Sequence, residues 1–259
     1  AWMAGSPPLP RWWVPGDLDG FLGLALDNLI QILLIVSLCR GLLGYPDALV
    51  FGTILPAVGI SLVVGNLAYA RQAFLLALRE GRGERTALPY GINTVSLFAY
   101  VFLVMLPVKQ LALARGLSPE SAVQLSWQAG LVACLGSGLI EAAGALVGEK
   151  LRRWLPRAAL LSTLAGIALG YIALGFLLRT YAEPVVGLSV LTVILVGYFS
   201  PQRWPVPAGV VAVLLGMALA WGGGLIQLNA ANWQQTVGQI GLHPPKLQLQ
   251  ALWQGRDQL

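Results

Sequence analysis

Apolar residues occur in seven long runs, separated by short segments rich in Arg, Gly and Pro. A helix needs about 20 residues to cross the hydrocarbon core of a bilayer, which is close to the length of most of these runs. The pattern therefore predicts an all-α integral membrane protein with seven transmembrane segments. We place them at about 21–43, 48–70, 86–107, 123–147, 158–178, 184–199 and 207–226.

The third segment differs from the others because its first half is polar. Thr86–Ser96 contains Thr, Pro, Gly, Asn and Ser residues, whereas Leu97–Leu106 is entirely apolar. The apolar part is too short to span a membrane as a helix, so we expect the polar part at membrane depth. Irregular backbone survives there only inside protein or beside a wet cavity. We predict a short extended stretch followed by a half-helix, an arrangement typical of transporter binding sites.

The composition fits a membrane protein and excludes other classes. Of 259 residues, 57% are hydrophobic and 10% are charged, whereas soluble domains are about 25% charged. The net charge of +5 does not indicate nucleic-acid binding, because the cations lie in short clusters between apolar runs. Cys39 and Cys134 lie far apart in apolar segments, and we expect both to be unpaired. No signal peptide is recognisable, and the first residue, Ala1, indicates a trimmed or partial chain.

The distribution of Lys and Arg predicts the orientation. If seven spans alternate, ten of the sixteen Lys and Arg residues lie on the same side as the N-terminus. An excess of cations marks the cytoplasmic side. We therefore expect a multi-pass protein of the cell (inner) membrane with a cytoplasmic N-terminus and an external polar tail, 227–259. In that tail, the alternation in KLQLQALW predicts a short strand or a segment lying at an edge.

Polar residues in the first span are candidates for a binding site. Asp27, Asn28 and Gln31 are three or four residues apart, so we place them on one helix face. A charged side chain inside a span costs about 2.5–3.5 kcal/mol even on the mildest scale. Asp27 should therefore face a cavity or a partner, and it is the candidate proton or cation site. The alternative is a structural, hydrogen-bonded acid near the end of the helix.

The polar half of the third segment supplies the other candidates. Backbone amides at the start of a helix attract anionic or electron-rich groups. The Tyr90 side chain can stack on an aromatic ring of a solute. The Asn93 side chain can form hydrogen bonds with the edge of that ring through one donor and one acceptor. An extended loop packed against other spans is the alternative. The predicted substrate-binding residues of this segment are Tyr90, Gly91, Ile92, Asn93 and Thr94.

Other polar residues receive a structural interpretation. We interpret Asn66 as a capping residue and Tyr69 as an interfacial one, and we expect Glu141 to pair with a basic or polar neighbour. HExxH, P-loop and Cys/His metal motifs do not occur in the sequence, and His243 stands alone in the tail. The sequence therefore predicts no catalytic residue, no metal and no cofactor, apart from a coupling H⁺ or Na⁺.

Several stretches together resemble bacterial permeases of the xanthine/uracil family, which includes nucleobase–cation symporters and nucleobase–ascorbate transporters. The resemblance covers about residues 16–226. It is carried by GDLDGFLGLALDNLIQILLIVSLCRGLLGYP, ILPAVGISLVVGNLAYARQAFLLA, TALPYGINTVSLFAYVFLVMLP and PRAALLSTLAGIALG. Some family members carry a Gln-His pair in the first span, where this chain has Asp27-Asn28.

The resemblance implies a fold of fourteen spans built as two inverted seven-span repeats, of which this chain is the N-terminal one. After a cytoplasmic segment, 1–20, it implies a solute-binding core domain, 21–148, and a gate domain, 149–226. The tail, 227–259, would then link to a second repeat, which in the family holds the principal substrate-binding carboxylates.

The activity implied is secondary transport of a nucleobase-like solute by H⁺ or Na⁺ symport, with the core moving against the gate. The implied partners are the bilayer, the solute, and a second repeat or an inverted copy of the chain, which includes a homodimer. A sulfate- or bicarbonate-type anion carrier of the same fold is the nearest alternative. An intramembrane enzyme or a non-transporting scaffold is the alternative of another class. We do not expect an enzyme, because Asp27 and Glu141 are the only acids inside the spans and lie on different helices.

Overall fold

In the structure, a computed structural model, all the regular secondary structure of the described part of the chain is helical, and that part contains no strand. The described residues are 11–14, 16–81, 85–201, 204, 206–225, 241, 244–245 and 248–256. Four helical stretches are long and apolar enough to cross a membrane: Gly16–Leu42, Asp47–Glu80, Thr94–Ala114 and Pro119–Lys150. They coincide with the first four predicted segments, and the prediction of an all-α, membrane-embedded protein is confirmed at this level.

Three shorter apolar helical stretches follow, at Ala168–Ala182, Pro184–Phe199 and Ala208–Gly222. They lie at the predicted fifth, sixth and seventh segments, and the count of seven spans stays a prediction. The α-helices, numbered along the described chain, are α1 Gly16–Ser37, α2 Asp47–Leu49, α3 Leu55–Glu80, α4 Thr94–Ala99, α5 Leu106–Ala114, α6 Pro119–Trp154, α7 Arg157–Ile167, α8 Leu174–Ala182, α9 Pro184–Phe199, α10 Ala208–Gly222 and α11 Leu249–Arg256. π-helical turns at Leu38–Leu42, Val50–Ile54, Tyr100–Met105 and Ala168–Ala173 interrupt or extend them.

Two of the π-helical turns lie directly before a proline-containing helix start. Val50–Ile54 precedes Pro56 in α3, and Tyr100–Met105 precedes Pro107 in α5. In a regular α-helix, proline lacks the amide hydrogen and its ring collides with the carbonyl four residues earlier. A wider π turn changes the position of that carbonyl, so the helix can continue through the proline.

The third span is consequently longer than predicted. Its helical part runs from Thr94 through Pro107 to Ala114, which is 21 residues and long enough to cross a membrane without the polar stretch. The predicted half-helix is therefore wrong in length. The polar stretch before Thr94 is non-helical, as predicted, but helix length no longer requires it to lie at membrane depth.

The chain divides into two compact units, each built from several chain segments. Unit 1 comprises Ala1–Ile32, Ile54–Ile92 and Pro184–Pro245, and unit 2 comprises Leu33–Thr53, Asn93–Glu183 and Lys246–Leu259. Within unit 1, α9 and α10 pack closely where Gly197 lies against Ala208 and Gly216 against Val190. The division into core and gate domains stays a prediction.

A buried polar chain stabilises unit 2. The Tyr45 hydroxyl donates to Ser126 Oγ at 2.8 Å, and Ser126 Oγ donates to the Met105 carbonyl at 2.7 Å. Both Tyr45 and Ser126 are buried, and burial raises the pKa of the Tyr45 phenol above its ordinary value, although the Ser126 bond opposes that shift. Beside it, Lys109 Nζ donates to the Leu43 carbonyl at 2.6 Å.

The tail segment predicted as a strand or edge-lying segment forms a helix instead. Residues Leu249–Arg256 form α11, which packs against α6, and Gln128 Nε2 donates to Gln254 Oε1 at 2.8 Å. A helix satisfies its own backbone groups, whereas an isolated strand would need a neighbouring strand. The rest of the predicted tail, including His243, lies largely outside the described residues. Both Cys39 and Cys134 are free, as predicted.

Candidate functional site

The predicted break in the third segment is present in the structure. Residues 85–93 form neither helix nor strand, and α4 begins at Thr94. Helix α3 ends at Glu80, where Gly81 adopts a left-handed conformation (φ 64°) and caps it. Pro89 has no amide hydrogen and disfavours a helical conformation at Leu88, so the stretch before α4 stays non-helical. Asn93 has an extended backbone (φ −78°, ψ 101°), and its Oδ1 accepts from the Ser96 amide at 3.2 Å. Asn93 is therefore the N-cap of α4.

The backbone of Tyr90 is bound by a side chain of α3. Asn66 Nδ2 donates to the Tyr90 carbonyl at 2.9 Å, and Asn66 Oδ1 accepts from the Tyr90 amide at 3.4 Å. The same Nδ2 also donates to the Leu62 carbonyl within α3, at 2.8 Å. One carboxamide thus engages both polar groups of one residue, as a neighbouring strand does in a sheet.

The ring of Tyr90 lies against the same face of α3. A Cβ atom added to Gly65 would come 2.3 Å from the Tyr90 ring, so only glycine fits beneath it. The Tyr90 hydroxyl lies 3.3 Å from Ser61 Oγ, and the Tyr69 ring meets the Tyr90 ring edge-on, with centroids 5.8 Å apart. Ser61, Gly65 and Tyr69 are four residues apart, so the helix aligns them.

Helix α1 binds the following residues of the segment. Asn28 Oδ1 accepts from the Ile92 amide at 3.1 Å, while Asn28 Nδ2 donates to the Leu24 carbonyl at 2.9 Å. Asn28 is buried, and a Cβ atom on Gly91 would lie 3.3 Å from its Oδ1. Unit 1 therefore brings together Asn28, Tyr90, Gly91 and Ile92 of the predicted site.

The predicted common face of Asp27, Asn28 and Gln31 is only partly correct. Asn28 and Gln31 are both buried in unit 1, whereas Asp27 is exposed. Successive helical residues are turned about 100° from one another, so neighbours such as Asp27 and Asn28 face different surroundings. The assignment of Asp27 as a proton or cation site stays a prediction.

The remaining predicted residues, Asn93 and Thr94, belong to unit 2. The Asn93 oxygen accepts from the Ser96 amide as a helix cap, and the role of Asn93 in binding a solute stays a prediction. Glu141 accepts from Ser137 Oγ at 3.3 Å, so its expected polar partner is the preceding turn of α6.

The sequence interpretation missed the contribution of α3. Asn66 is not a helix cap, and Tyr69 contacts Tyr90 rather than serving only as an interfacial residue. The available signal was the spacing of Ser61, Gly65 and Tyr69, which places a small residue between polar or aromatic ones on one helix face. That signal was weak, because nothing local identifies the partner of such a face.

The side chains described above as contacting Tyr90–Ile92 are uncharged. Among the described residues, the side chains that contact this segment include two amides, the Ser61 hydroxyl, the Tyr69 ring and the aliphatic Leu24. No group of three or more possible metal ligands occurs in the part of the chain that the structure describes. Such a site can bind a polar neutral group by hydrogen bonds and an aromatic group by ring contact.

No protein-family model, no curated protein and no solved structure matches this chain. The likeness to xanthine/uracil permeases therefore rests on the sequence stretches alone.

Proposed function

We propose that this protein is a secondary active transporter that moves a nucleobase-like solute of the xanthine/uracil type. The observation that carries the proposal is the non-helical stretch Tyr90–Ile92, held by side chains of α1 and α3 next to a membrane-length helix. Irregular backbone in a membrane protein persists where protein or a water-filled cavity surrounds it. In transporters, non-helical backbone before the start of a helix supplies binding groups for the solute.

The chemistry of the contacts favours a neutral heterocycle over an inorganic anion. The hydroxyls of Ser61 and Tyr90 can both donate and accept, which matches the mixed edge of a nucleobase, and Tyr69 and Tyr90 offer aromatic surface. A sulfate or bicarbonate carrier would gain most from cationic groups at the site. The anion-carrier alternative therefore has less support from the residues that surround Tyr90.

The remaining features of the proposal come from the sequence. Asp27 would couple transport to H⁺ or Na⁺, because a charged side chain within a span costs free energy and such residues mark ion pathways. The chain would work with a second repeat, or with an inverted copy of itself, by moving a core against a gate, with the N-terminus in the cytoplasm. We propose a carrier rather than an enzyme or a scaffold.

Uptake of radiolabelled uracil and xanthine by cells that produce the protein tests the proposal. We expect saturable uptake, with unlabelled nucleobases competing and sulfate not competing. Tyr90→Ala should raise the KM of uptake about tenfold, the effect of losing roughly 1–1.5 kcal/mol of aromatic contact. Tyr198→Ala is the matched control, because Tyr198 is 80% exposed on α9, and it should leave KM unchanged.

The same assay addresses the coupling ion. Asp27→Asn should abolish the dependence of uptake on pH or Na⁺, because an amide cannot exchange a proton or attract a cation. Uptake that is absent, or that is competed by sulfate rather than by nucleobases, would contradict the proposed function.

A further inference from the structure

We propose that Asn66 and Asn28 act together as a clamp that fixes Tyr90–Ile92 in its non-helical conformation, and that both are positioning residues rather than solute ligands. The inference deepens the proposed function, and it uses that function only for an uptake measurement. The geometry of the clamp rests on the structure of unit 1 alone.

The first point of the clamp is the pairing of Asn66 with Tyr90. Its carboxamide bonds the amide and the carbonyl of the same residue, so it replaces the neighbouring strand that an isolated extended segment lacks. Tyr90 is half-buried, so water is partly excluded from its amide and carbonyl, and a side chain that supplies both partners replaces that water. Asn is suited to the task because one short side chain carries a donor and an acceptor.

The second point is the bond from the Ile92 amide to Asn28. Asn28 is itself fixed on α1 by its donation to the Leu24 carbonyl, and it is only 8% exposed. Gly91 lies between the two points of attachment. Glycine has the largest conformational freedom of any residue, so the segment needs attachment on both sides of Gly91 to keep one conformation.

The clamp leaves little freedom for these two carboxamides to bind a solute. Asn66 already makes three hydrogen bonds and Asn28 makes two. The predicted role of Asn28 as a direct substrate ligand is thereby replaced with a role in holding the backbone of Gly91 and Ile92.

Hydrogen–deuterium exchange at single-residue resolution tests the clamp in the purified, reconstituted protein. If Asn66 and Asn28 hold Tyr90–Ile92 as one unit, losing either attachment should loosen the whole segment. Asn66→Ala should then accelerate exchange of both the Tyr90 and the Ile92 amides, and Asn28→Ala should accelerate the same two. Losing one bond of typical strength corresponds to about a fivefold faster exchange. Ser189→Ala, which removes a side-chain bond to the Val185 carbonyl in α9, should change neither amide.

A different outcome is expected if the two bonds are independent. Each substitution would then accelerate only the amide that it bonds directly, or neither amide, and either result would overturn the clamp.

A second variant leaves both asparagines in place. Gly65→Ala inserts a methyl group 2.3 Å from the Tyr90 ring, so the ring must move away from α3. We expect the Tyr90 and Ile92 amides to exchange faster, as in the asparagine variants. Gly59→Ala is the matched control, because the same change in the same helix meets no atom within 4 Å. Equal exchange in the two glycine variants would count against the clamp.

Uptake measurements separate the clamp from the proposed function. A positioning role predicts that Asn66→Ala raises the KM of uptake about tenfold while Vmax per folded molecule stays within about twofold. A purely structural role would lower the amount of folded protein and leave KM unchanged, and that result would remove the positioning role. If the amides respond as expected but the protein takes up no nucleobase, the clamp stands and the proposed function fails.

Discussion

At the scale of single residues, asparagine shows how one side chain can serve several purposes. Asn93 caps a helix, whereas Asn28 and Asn66 bind the backbone of a distant segment. All three use the same donor and acceptor groups, and the local sequence around them does not separate the roles. Our sequence interpretation made Asn66 a cap, whereas the structure shows Asn93 as the cap and Asn66 bound to the backbone of Tyr90.

The buried polar chain of unit 2 leads to a prediction about the hydroxyl group of Ser126. Ser126→Ala removes the acceptor of the Tyr45 hydroxyl and the donor to the Met105 carbonyl. We expect the free energy of unfolding to fall by about 1–3 kcal/mol, because buried polar groups lose their partners. Thermal unfolding in detergent, followed by circular dichroism, measures the change.

Ser137→Ala is the control for this prediction, since Ser137 is a half-buried serine on the same helix and loses only a long, exposed bond to Glu141. It should change stability by less than about 0.5 kcal/mol. Combining Ser126→Ala with Tyr45→Phe should cost less than the sum of the two, because both changes break one bond chain. A Ser126→Ala protein as stable as the Ser137→Ala protein would show that the chain contributes nothing.

At the scale of elements, boundaries were harder to predict than element types. Pro107 was placed at the end of the third predicted segment, yet it lies within a continuous helical stretch behind a π-helical turn, as Pro56 does in the second. The alternating tail segment formed α11 rather than a strand. In each case the sequence pattern fits two local structures, and packing against neighbours selects one of them.

The close packing of α11 against α6 leads to a prediction about Gly255. A Cβ atom on Gly255 would come 2.6 Å from the Gln128 carbonyl oxygen, which belongs to the rigid backbone of α6. Gly255→Ala should therefore separate α11 from α6 at a cost of about 1–3 kcal/mol. Hydrogen–deuterium exchange of residues 249–256 should then become faster.

The matched control is Gly136→Ala in α6, where an added Cβ atom meets nothing within 4 Å. It should leave exchange in α11 unchanged. Slow exchange of α11 in the Gly255→Ala protein would mean that the helix does not depend on this close approach.

At the scale of the whole molecule, the membrane determines where chain segments can lie. Helix α6 has 36 residues, so it is about 54 Å long and exceeds a hydrocarbon core of about 30 Å. Its two ends therefore emerge on opposite sides of a bilayer that it crosses. If the seven predicted spans alternate, ten of the sixteen Lys and Arg residues lie on the side of the N-terminus, which predicts that this side is cytoplasmic.

Cysteine labelling in intact cells tests this orientation. In a variant in which Cys39 and Cys134 are replaced by Ala, a single cysteine at Leu117, before α6, should react with an impermeant maleimide from outside. A single cysteine at Leu155, after α6, should react only after the cells are permeabilised. The reverse pattern would invert the predicted topology, and equal external labelling of both sites would indicate dual orientation.

The sequence by itself determined the class of the protein and the place of its main irregularity. Run length and hydropathy are local properties, and they predicted the four membrane-length helices of the described chain. The polar stretch around Pro89 was predicted to be non-helical because its run of Thr, Pro, Gly, Asn and Ser residues does not continue an apolar helix. These features need no knowledge of what lies nearby in space.

Which side chains bind Tyr90–Ile92 depends on tertiary packing and could not be predicted from the local sequence. Asn66 meets Tyr90 across 24 positions of the chain, and Asn28 meets Ile92 across 64. A carboxamide satisfies a cap, a neighbouring helix or a distant backbone segment equally well, so its partner depends on which segments packing brings within about 3 Å. Packing likewise buried Asn28 and left Asp27 exposed, because a single step along a helix turns a side chain toward a different neighbour.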